Sequence, residues 1–137
     1  MTGVKHAISA PAAPSGRGPF PQAVRSGSFI FLSGQGPLDP ATNAPISGSF
    51  AEQVQQTFLN VRTILAAAGL GLEHIVKLTV YLSDLDRISE FNALYTAQMP
   101  QPWPARTLVQ AGLRQIDVEM DVIAVDPGQA LYGVPKE

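Results

Sequence analysis

Two charged residues lie within apolar, strand-forming stretches in the last third of the chain. Arg106 begins the run Arg-Thr-Leu-Val, and Glu119 lies between a valine and a methionine. A guanidinium at the start of an apolar strand can bind a carboxylate or a phosphate through two parallel hydrogen bonds. A partly buried carboxyl group has a raised pKa and can take a proton from water near neutral pH. Arg106 and Glu119 are therefore our candidates for anion binding and proton transfer.

Both residues also have a purely structural interpretation. Arg106 can form an internal salt bridge or lie at a rim, because structural ion pairs also use arginine in this way. Glu119 can be solvated on an edge face together with Asp121, which shares its face two residues later. The local pattern leaves both interpretations open.

A serine and an asparagine supply further polar groups. Ser33-Gly34-Gln35-Gly36 ends a predicted strand with a hydroxyl and flexible backbone, which allows a ligand to approach closely, although a plain turn has the same pattern. It matches neither a nucleophile elbow nor a dinucleotide or P-loop fingerprint. Asn92 lies in a predicted helix, where it can contact a ligand, face solvent or cap a neighbouring backbone group.

Composition excludes several classes of function. The 137 residues contain no cysteine and two histidines, which argues against disulfides, thiol nucleophiles and a His-rich metal site. A net charge of −2 offers no basic field for nucleic acid. No apolar run approaches the ~18 residues of a membrane span, and no signal peptide is present, so we expect a soluble, cytoplasmic protein. Charged residues make up only 15%, which suggests that an oligomer covers part of the surface.

The elements that position these residues form one predicted domain over residues 1–137. An extended arm, residues 1–22, comes first, and a loose tail, residues 127–137, comes last. Ser49 and Glu52 form a capping box for the first helix, Gly69 closes it, and Asp84 or Asp86 can cap the second. The predicted elements are a hairpin of strands 23–25 and 29–33, a helix over 50–68, a strand over 74–82, a second helix ending before Pro100, and strands over 106–113 and 118–125.

This order predicts an α+β fold in which two helices cover one face of a single mixed β-sheet. In the last strand the residues alternate between two faces, and neither set is uniformly polar: the odd set holds Glu119 and Asp121 but also Ile123 and Val125. We therefore expect other subunits to bury the face away from the helices.

Taken together, the motifs resemble the Rid (YjgF-like) family of reactive-intermediate deaminases over about residues 10–126. No single motif is specific for this family, but the order and spacing of the whole set are. The motifs are Gly18-Pro19-Phe20-Pro21-Gln22-Ala23, Ser33-Gly34-Gln35, Asn60-Val61-Arg62, Phe91-Asn92-Ala93-Leu94-Tyr95, Pro104-Ala105-Arg106-Thr107 and Val118-Glu119-Met120-Asp121-Val122-Ile123-Ala124. The resemblance implies a chorismate-mutase-like homotrimer with active sites in clefts between subunits. It also implies hydrolysis of amino-acid-derived enamines or imines to 2-keto acids and ammonia, without a metal or organic cofactor.

By position, the resemblance implies that Arg106 holds the substrate carboxylate and that Glu119 orients or deprotonates the attacking water. Ser33 and Asn92 correspond to polar contacts around the site, and the main chain near Thr107 and Leu108 meets the substrate.

Two positions depart from the family pattern. Phe20 replaces a tyrosine and Leu108 replaces a cysteine that members with the archetypal activity have, so we expect a more apolar pocket. This leaves open a pathway-specific enzyme for a larger amino-acid-like or aminomuconate-type substrate, and a non-catalytic trimer that only binds carboxylate metabolites. Ribonuclease activity, attached to relatives by name, conflicts with the net charge of −2.

Overall fold

A six-stranded mixed sheet organises the structure, a computed structural model that describes residues 3–128. Its strands are β1 (His6–Ile8), β2 (Ala23–Ser26), β3 (Phe29–Leu32), β4 (Ile75–Leu82), β5 (Ala105–Gln110) and β6 (Val118–Val125), and its helices are α1 (Phe50–Ala67) and α2 (Ile88–Gln98). The strand order is β1-β2-β3-β6-β4-β5, with β4 and β5 parallel and every other pair antiparallel. The predicted α+β fold with a mixed sheet and two helices is confirmed.

Helix α1 begins and ends where local chemistry places its boundaries. The Ser49 hydroxyl accepts a hydrogen bond from the Glu52 amide at 3.2 Å, and the Glu52 carboxylate accepts one from the Ser49 amide at 2.9 Å. These two bonds satisfy amides that the first turn leaves without partners. After the helix, Gly69 adopts a φ of +77°, a conformation that glycine enters without steric cost. The predicted capping box and glycine stop are confirmed.

Two predicted boundaries are wrong. His74 does not begin a strand, because its Nδ1 accepts a hydrogen bond from the Gly71 amide at 2.9 Å and closes a 3₁₀ turn, Leu72–His74. Strand β5 stops at Gln110, because Gln110 pairs with Leu82, the last residue of β4. Within the extended arm, β1 pairs with β2. Asp84 caps a 3₁₀ turn, Leu85–Arg87, that leads into α2. Of the predicted tail, residues 129–137 lie outside the described residues.

The core lies between the two helices and one face of the sheet. In β6 the even-numbered residues, Val118 to Ala124, are at most 1% exposed and join the core with the apolar residues of α1 and α2. The odd-numbered residues of β6 point to the opposite side of the sheet. On this opposite side, which we call the open face, the rings of Phe29 and Phe31 are 44% and 40% exposed. The two sheet faces therefore present different chemistry.

Candidate functional site

Arg106 lies on β5, the edge strand, and its side chain extends toward α2. It pairs in register with Leu78, whose buried side chain belongs to the helix-covered core. One guanidinium nitrogen of Arg106 donates to Asn92 Oδ1 at 2.8 Å. The guanidinium also lies 5.0 Å from the centre of the Tyr95 ring and 5.7 Å from that of Phe91. Helical spacing places Phe91, Asn92 and Tyr95 on neighbouring turns, so α2 fixes the direction of Arg106.

A cavity of about 330 Å³ opens beside this guanidinium. It is lined by Asn92, Tyr95, Thr96, Trp103, Pro104 and Arg106. The two ion pairs among residues 3–128 are Arg25–Asp126 and Arg87–Glu90, so the internal salt bridge considered for Arg106 is absent from the described chain. A positive charge with one neutral polar partner, at the wall of a mostly apolar cavity, is suited to binding a small carboxylate. Trp103 is 50% exposed and forms part of this wall.

Glu119 lies on β6 and is half-buried. Burial, and secondly the negative charge of Asp121, raise the pKa of the Glu119 carboxyl above its ordinary value. The carboxylate lies against Gly34, where any Cβ would collide with it. Gly34 is brought there because the next residue, Gln35, exchanges backbone hydrogen bonds of 2.7 and 2.9 Å with Met120. Any side chain at position 34 would therefore displace the Glu119 carboxylate from its present position.

Asp121 is held by a residue that the sequence did not single out. The Tyr81 hydroxyl donates to Asp121 Oδ2 at 2.9 Å, and this bond is the main reason that the pKa of Tyr81 is raised. Tyr81 is the register partner of Glu119 on the adjacent strand. The strand pattern predicts the face of Tyr81 but not its cross-strand neighbours, so the sequence carried no signal for this contact.

Ser33 and Phe20 meet at the arm. The Ser33 hydroxyl donates to the carbonyl oxygen of Pro21 at 2.8 Å, which holds the segment after Phe20 against the end of β3. The Phe20 ring packs beside Gly16 and Gly18 and is 47% exposed. Phe20 is thus a surface-presented ring on a segment that Ser33 anchors.

A second missed residue, Gln22, fastens the arm. Its side chain accepts from the Ala10 amide at 2.7 Å and donates to the carbonyl oxygens of Ala10 and Pro14 at 3.0 and 2.8 Å. The only signal in the sequence was the position of Gln22 directly after Pro21, which does not reveal its partners.

The remaining two candidates, Thr107 and Leu108, point to opposite faces of β5. The Thr107 hydroxyl accepts from Lys77 Nζ at 2.7 Å, and its register partner is Thr79. Leu108 is half-buried and packs against the core.

The structure does not bring Arg106 and Glu119 together within one chain. Arg106, Asn92 and Leu108 lie on the helix-covered side of the sheet, whereas Glu119 and Thr107 lie on the open face. One strand also separates them, since β4 lies between β5 and β6. Each half of the candidate site is ordered by its own set of neighbours.

Two other kinds of site, a membrane-spanning helix and a metal centre, have no counterpart within residues 3–128. Within residues 3–128, no helix combines the length and the apolar character that crossing a membrane requires. No group of three or more histidine, aspartate and glutamate side chains in the same part of the chain is placed to hold a metal ion.

Comparisons with known proteins agree on one family. Residues 10–126 match the family model described as Endoribonuclease L-PSP. The yeast protein Mmf1, named as mitochondrial, is 38% identical over 92% of this chain and 85% of its own length.

Solved structures give the same result. The RidA protein of an Antarctic Psychrobacter species is 34% identical, with a TM-score of 0.83 over 88% of this chain and 98% of its own. Escherichia coli TdcF, solved with bound serine, is 34% identical, with a TM-score of 0.80 over the same shares of the two chains. On the family model, the sequence identity and the shared fold, this chain belongs to the Rid (YjgF-like) family, whose model is described as Endoribonuclease L-PSP.

Proposed function

We propose that the protein hydrolyses reactive imines and enamines derived from amino acids to 2-keto acids and ammonia. The observation that carries this proposal is the Arg106 guanidinium, which faces a cavity of about 330 Å³ with Asn92 as its hydrogen-bond partner and no carboxylate paired to it among residues 3–128. A 2-imino acid carries a carboxylate that fits this guanidinium. The TdcF relative was solved with bound serine, an amino acid with the same carboxylate group.

In this mechanism, Arg106 binds the substrate carboxylate and fixes the position of the imine carbon. Glu119, whose pKa is raised by burial, takes a proton from water as the water oxygen bonds to that carbon. The C=N π electrons move to nitrogen, which takes up the proton that Glu119 accepted. The resulting carbinolamine then passes its hydroxyl proton to the amine through Glu119, and ammonia leaves as the C=O bond forms. An iminium carbon is already electrophilic, so positioning and proton transfer are sufficient chemistry without a cofactor.

The proposed site is completed by a second copy of the chain. Arg106 and Glu119 lie on opposite faces of one sheet, so a single chain cannot present both to one small substrate. The open face exposes apolar side chains of Phe29, Phe31 and Val109, which is the kind of surface that an oligomer buries. We propose a homotrimer with the open faces packed around the centre and the helices outside, in which Arg106 of one subunit and Glu119 of the next line a cleft between the two subunits.

The substrate preference is proposed to differ from that of small imines. Phe20 brings an exposed ring without a hydroxyl, and Trp103 forms an apolar wall beside Arg106. These two residues favour the second candidate, a pathway-specific deaminase of a larger amino-acid-like substrate, whereas Leu108 packs against the core and does not line the cavity.

Two further expectations stay predictions. The family model and some relatives carry the word endoribonuclease, but the net charge of −2 argues against RNA as a substrate. A cytoplasmic location also stays a prediction, and the relative Mmf1 is named as a mitochondrial protein.

The test supplies purified protein with imines generated in situ by an amino-acid oxidase and follows the release of keto acid. We expect wild type to accelerate release, and Arg106→Ala to lower kcat/KM by about a hundredfold, because it removes a charge-assisted hydrogen-bond pair. Arg62→Ala is the matched control, since Arg62 is exposed and bonds to Gln98 away from the cavity. No acceleration over buffer would contradict the proposal. Thermal stabilisation by keto acids without turnover would identify a non-catalytic binder instead.

A further inference from the structure

A second cavity of about 330 Å³ lies away from the residues that line the Arg106 cavity. Its lining consists of Arg17, Leu38, Pro45, Arg114, Gln115 and Ile116. Two arginines from distant parts of the chain therefore meet at one concave surface, although the chain as a whole has a net charge of −2. None of these six residues belongs to the proposed hydrolytic site.

Arg17 is held in place along one edge of its guanidinium. Its Nε and one terminal nitrogen both donate to the carbonyl oxygen of Asn43, at 3.0 and 2.6 Å. Asn43 has a φ of 61°, and its side-chain Nδ2 donates a hydrogen bond to the carbonyl oxygen of Gly16 at 2.9 Å, which holds Asn43 in place. The remaining donors of Arg17 are thus oriented before any ligand arrives, which lowers the entropic cost of binding.

Arg114 approaches the same cavity from the loop between β5 and β6. The next residue, Gln115, has a φ of 66°, in the left-handed region that residues other than glycine rarely adopt. Such a conformation persists only where the surrounding structure imposes it. Neither Arg114 nor Arg17 takes part in an ion pair among residues 3–128. The cavity therefore carries two positive charges that no described carboxylate neutralises.

The rest of the cavity is mainly apolar. Leu38, Pro45 and Ile116 supply hydrocarbon surface, and the Ile116 side chain lies against Gly36. Leu38 and Pro45 also pair through an isolated backbone bridge, which ties together the two ends of their loop. A ligand that fits must combine an anionic group with a short hydrocarbon part.

We propose that this cavity is a binding site for a small organic anion. The two arginines bind its oxyanion, a carboxylate or a phosphate, and the apolar wall takes a short aliphatic chain. The site is not required for the hydrolysis proposed above, and its occupancy is independent of the Arg106 carboxylate site.

The test is isothermal titration calorimetry on the full chain with butyrate, butyl phosphate and inorganic phosphate. We expect Arg17→Gln/Arg114→Gln to weaken binding of the preferred butyl compound by about tenfold or more, since each arginine contributes a charge-assisted hydrogen bond. The comparison of butyrate with butyl phosphate identifies the preferred oxyanion. Inorganic phosphate is expected to bind more weakly than butyl phosphate, because it gains nothing from the apolar wall.

Three variants keep the result interpretable. Arg114→Gln alone changes a side chain that makes no described hydrogen bond, so it reports on binding even if Arg17→Gln disturbs the loop. Arg62 is also an exposed arginine, and the Arg62→Gln variant is expected to bind the butyl compound as tightly as wild type does. Arg106→Ala, which removes the proposed hydrolysis, is expected to retain this binding. Unchanged binding in the double variant, or loss of binding in Arg106→Ala alone, would overturn the proposal while leaving the proposed hydrolysis to its own test.

Discussion

At the scale of single residues, the proposed chemistry depends on the ionised form of Glu119. Burial and the charge of Asp121 raise its pKa, so the acid limb of kcat/KM is expected at a higher pH than an unperturbed glutamate would give. Asp121→Asn removes the negative charge, lowers the pKa of Glu119 and shifts this limb to lower pH. Measuring kcat/KM against pH tests this, with the exposed Asp86→Asn as control. A limb that does not move in Asp121→Asn would contradict it.

Charged residues within apolar strands could be identified from the sequence, because their placement there is costly without a reason. Arg106 and Glu119 were found in this way, and the structure gives each of them an ordered environment. The bonds from Tyr81 to Asp121 and from Ser33 to Pro21 could not be predicted. They depend on which residues of distant strands and arm segments become neighbours, and local sequence does not encode that register.

At the scale of elements, boundaries set by nearby residues could be predicted and boundaries set by distant partners could not. Ser49 and Glu52 start α1 through contacts three residues apart. The end of β5 depends instead on the length of β4, because the backbone of β5 has no strand to pair with after β4 ends. The three-residue β1 exists only because β2 offers a free edge.

The arm is the element whose placement is most open to test. Gln22→Ala removes the hydrogen bonds that join its side chain to Ala10 and Pro14, and we expect the free energy of unfolding to fall by about 1–3 kcal/mol. Proteolysis within the arm is expected to accelerate, because the arm detaches before the sheet unfolds. Urea denaturation and limited proteolysis measure the two effects. Gln55→Ala, at an exposed helix position, is the control, and equal behaviour of the two variants would show that Gln22 does not fasten the arm.

At the scale of the whole molecule, the low content of charged residues suggests a surface covered by other subunits, and we propose that this surface is the open face, where Phe29 and Phe31 are exposed. The sequence could not place Arg106 relative to that face. Nearly all of β5 is exposed, so its burial pattern does not reveal which side meets the helices. Only the register with Leu78 and the bond to Asn92 assign Arg106 to the helix side.

The opposite placement of Arg106 and Glu119 leads to a test by mixed subunits. Arg106→Ala and Glu119→Gln are each expected to be inactive alone. In a mixture of the two, the Glu119→Gln chains still carry Arg106, and the Arg106→Ala chains still carry Glu119. A site formed between two subunits is therefore intact if its Arg106 comes from a Glu119→Gln chain and its Glu119 comes from the neighbouring Arg106→Ala chain. Random mixing around a closed ring makes about a quarter of the sites intact.

Keto-acid release by the mixture is therefore expected to return to about a quarter of the wild-type rate, the fraction of sites that closed-ring mixing restores. Each variant refolded alone controls for residual activity, and native mass spectrometry, which resolves the masses of the two variants, measures whether mixed oligomers formed. If both residues of a site came from the same chain, every site in the mixture would lack one of them, and activity would stay at the level of the single variants. Recovery would thus place the reacting groups on two chains and make the oligomer, not the single chain, the unit that carries out the chemistry.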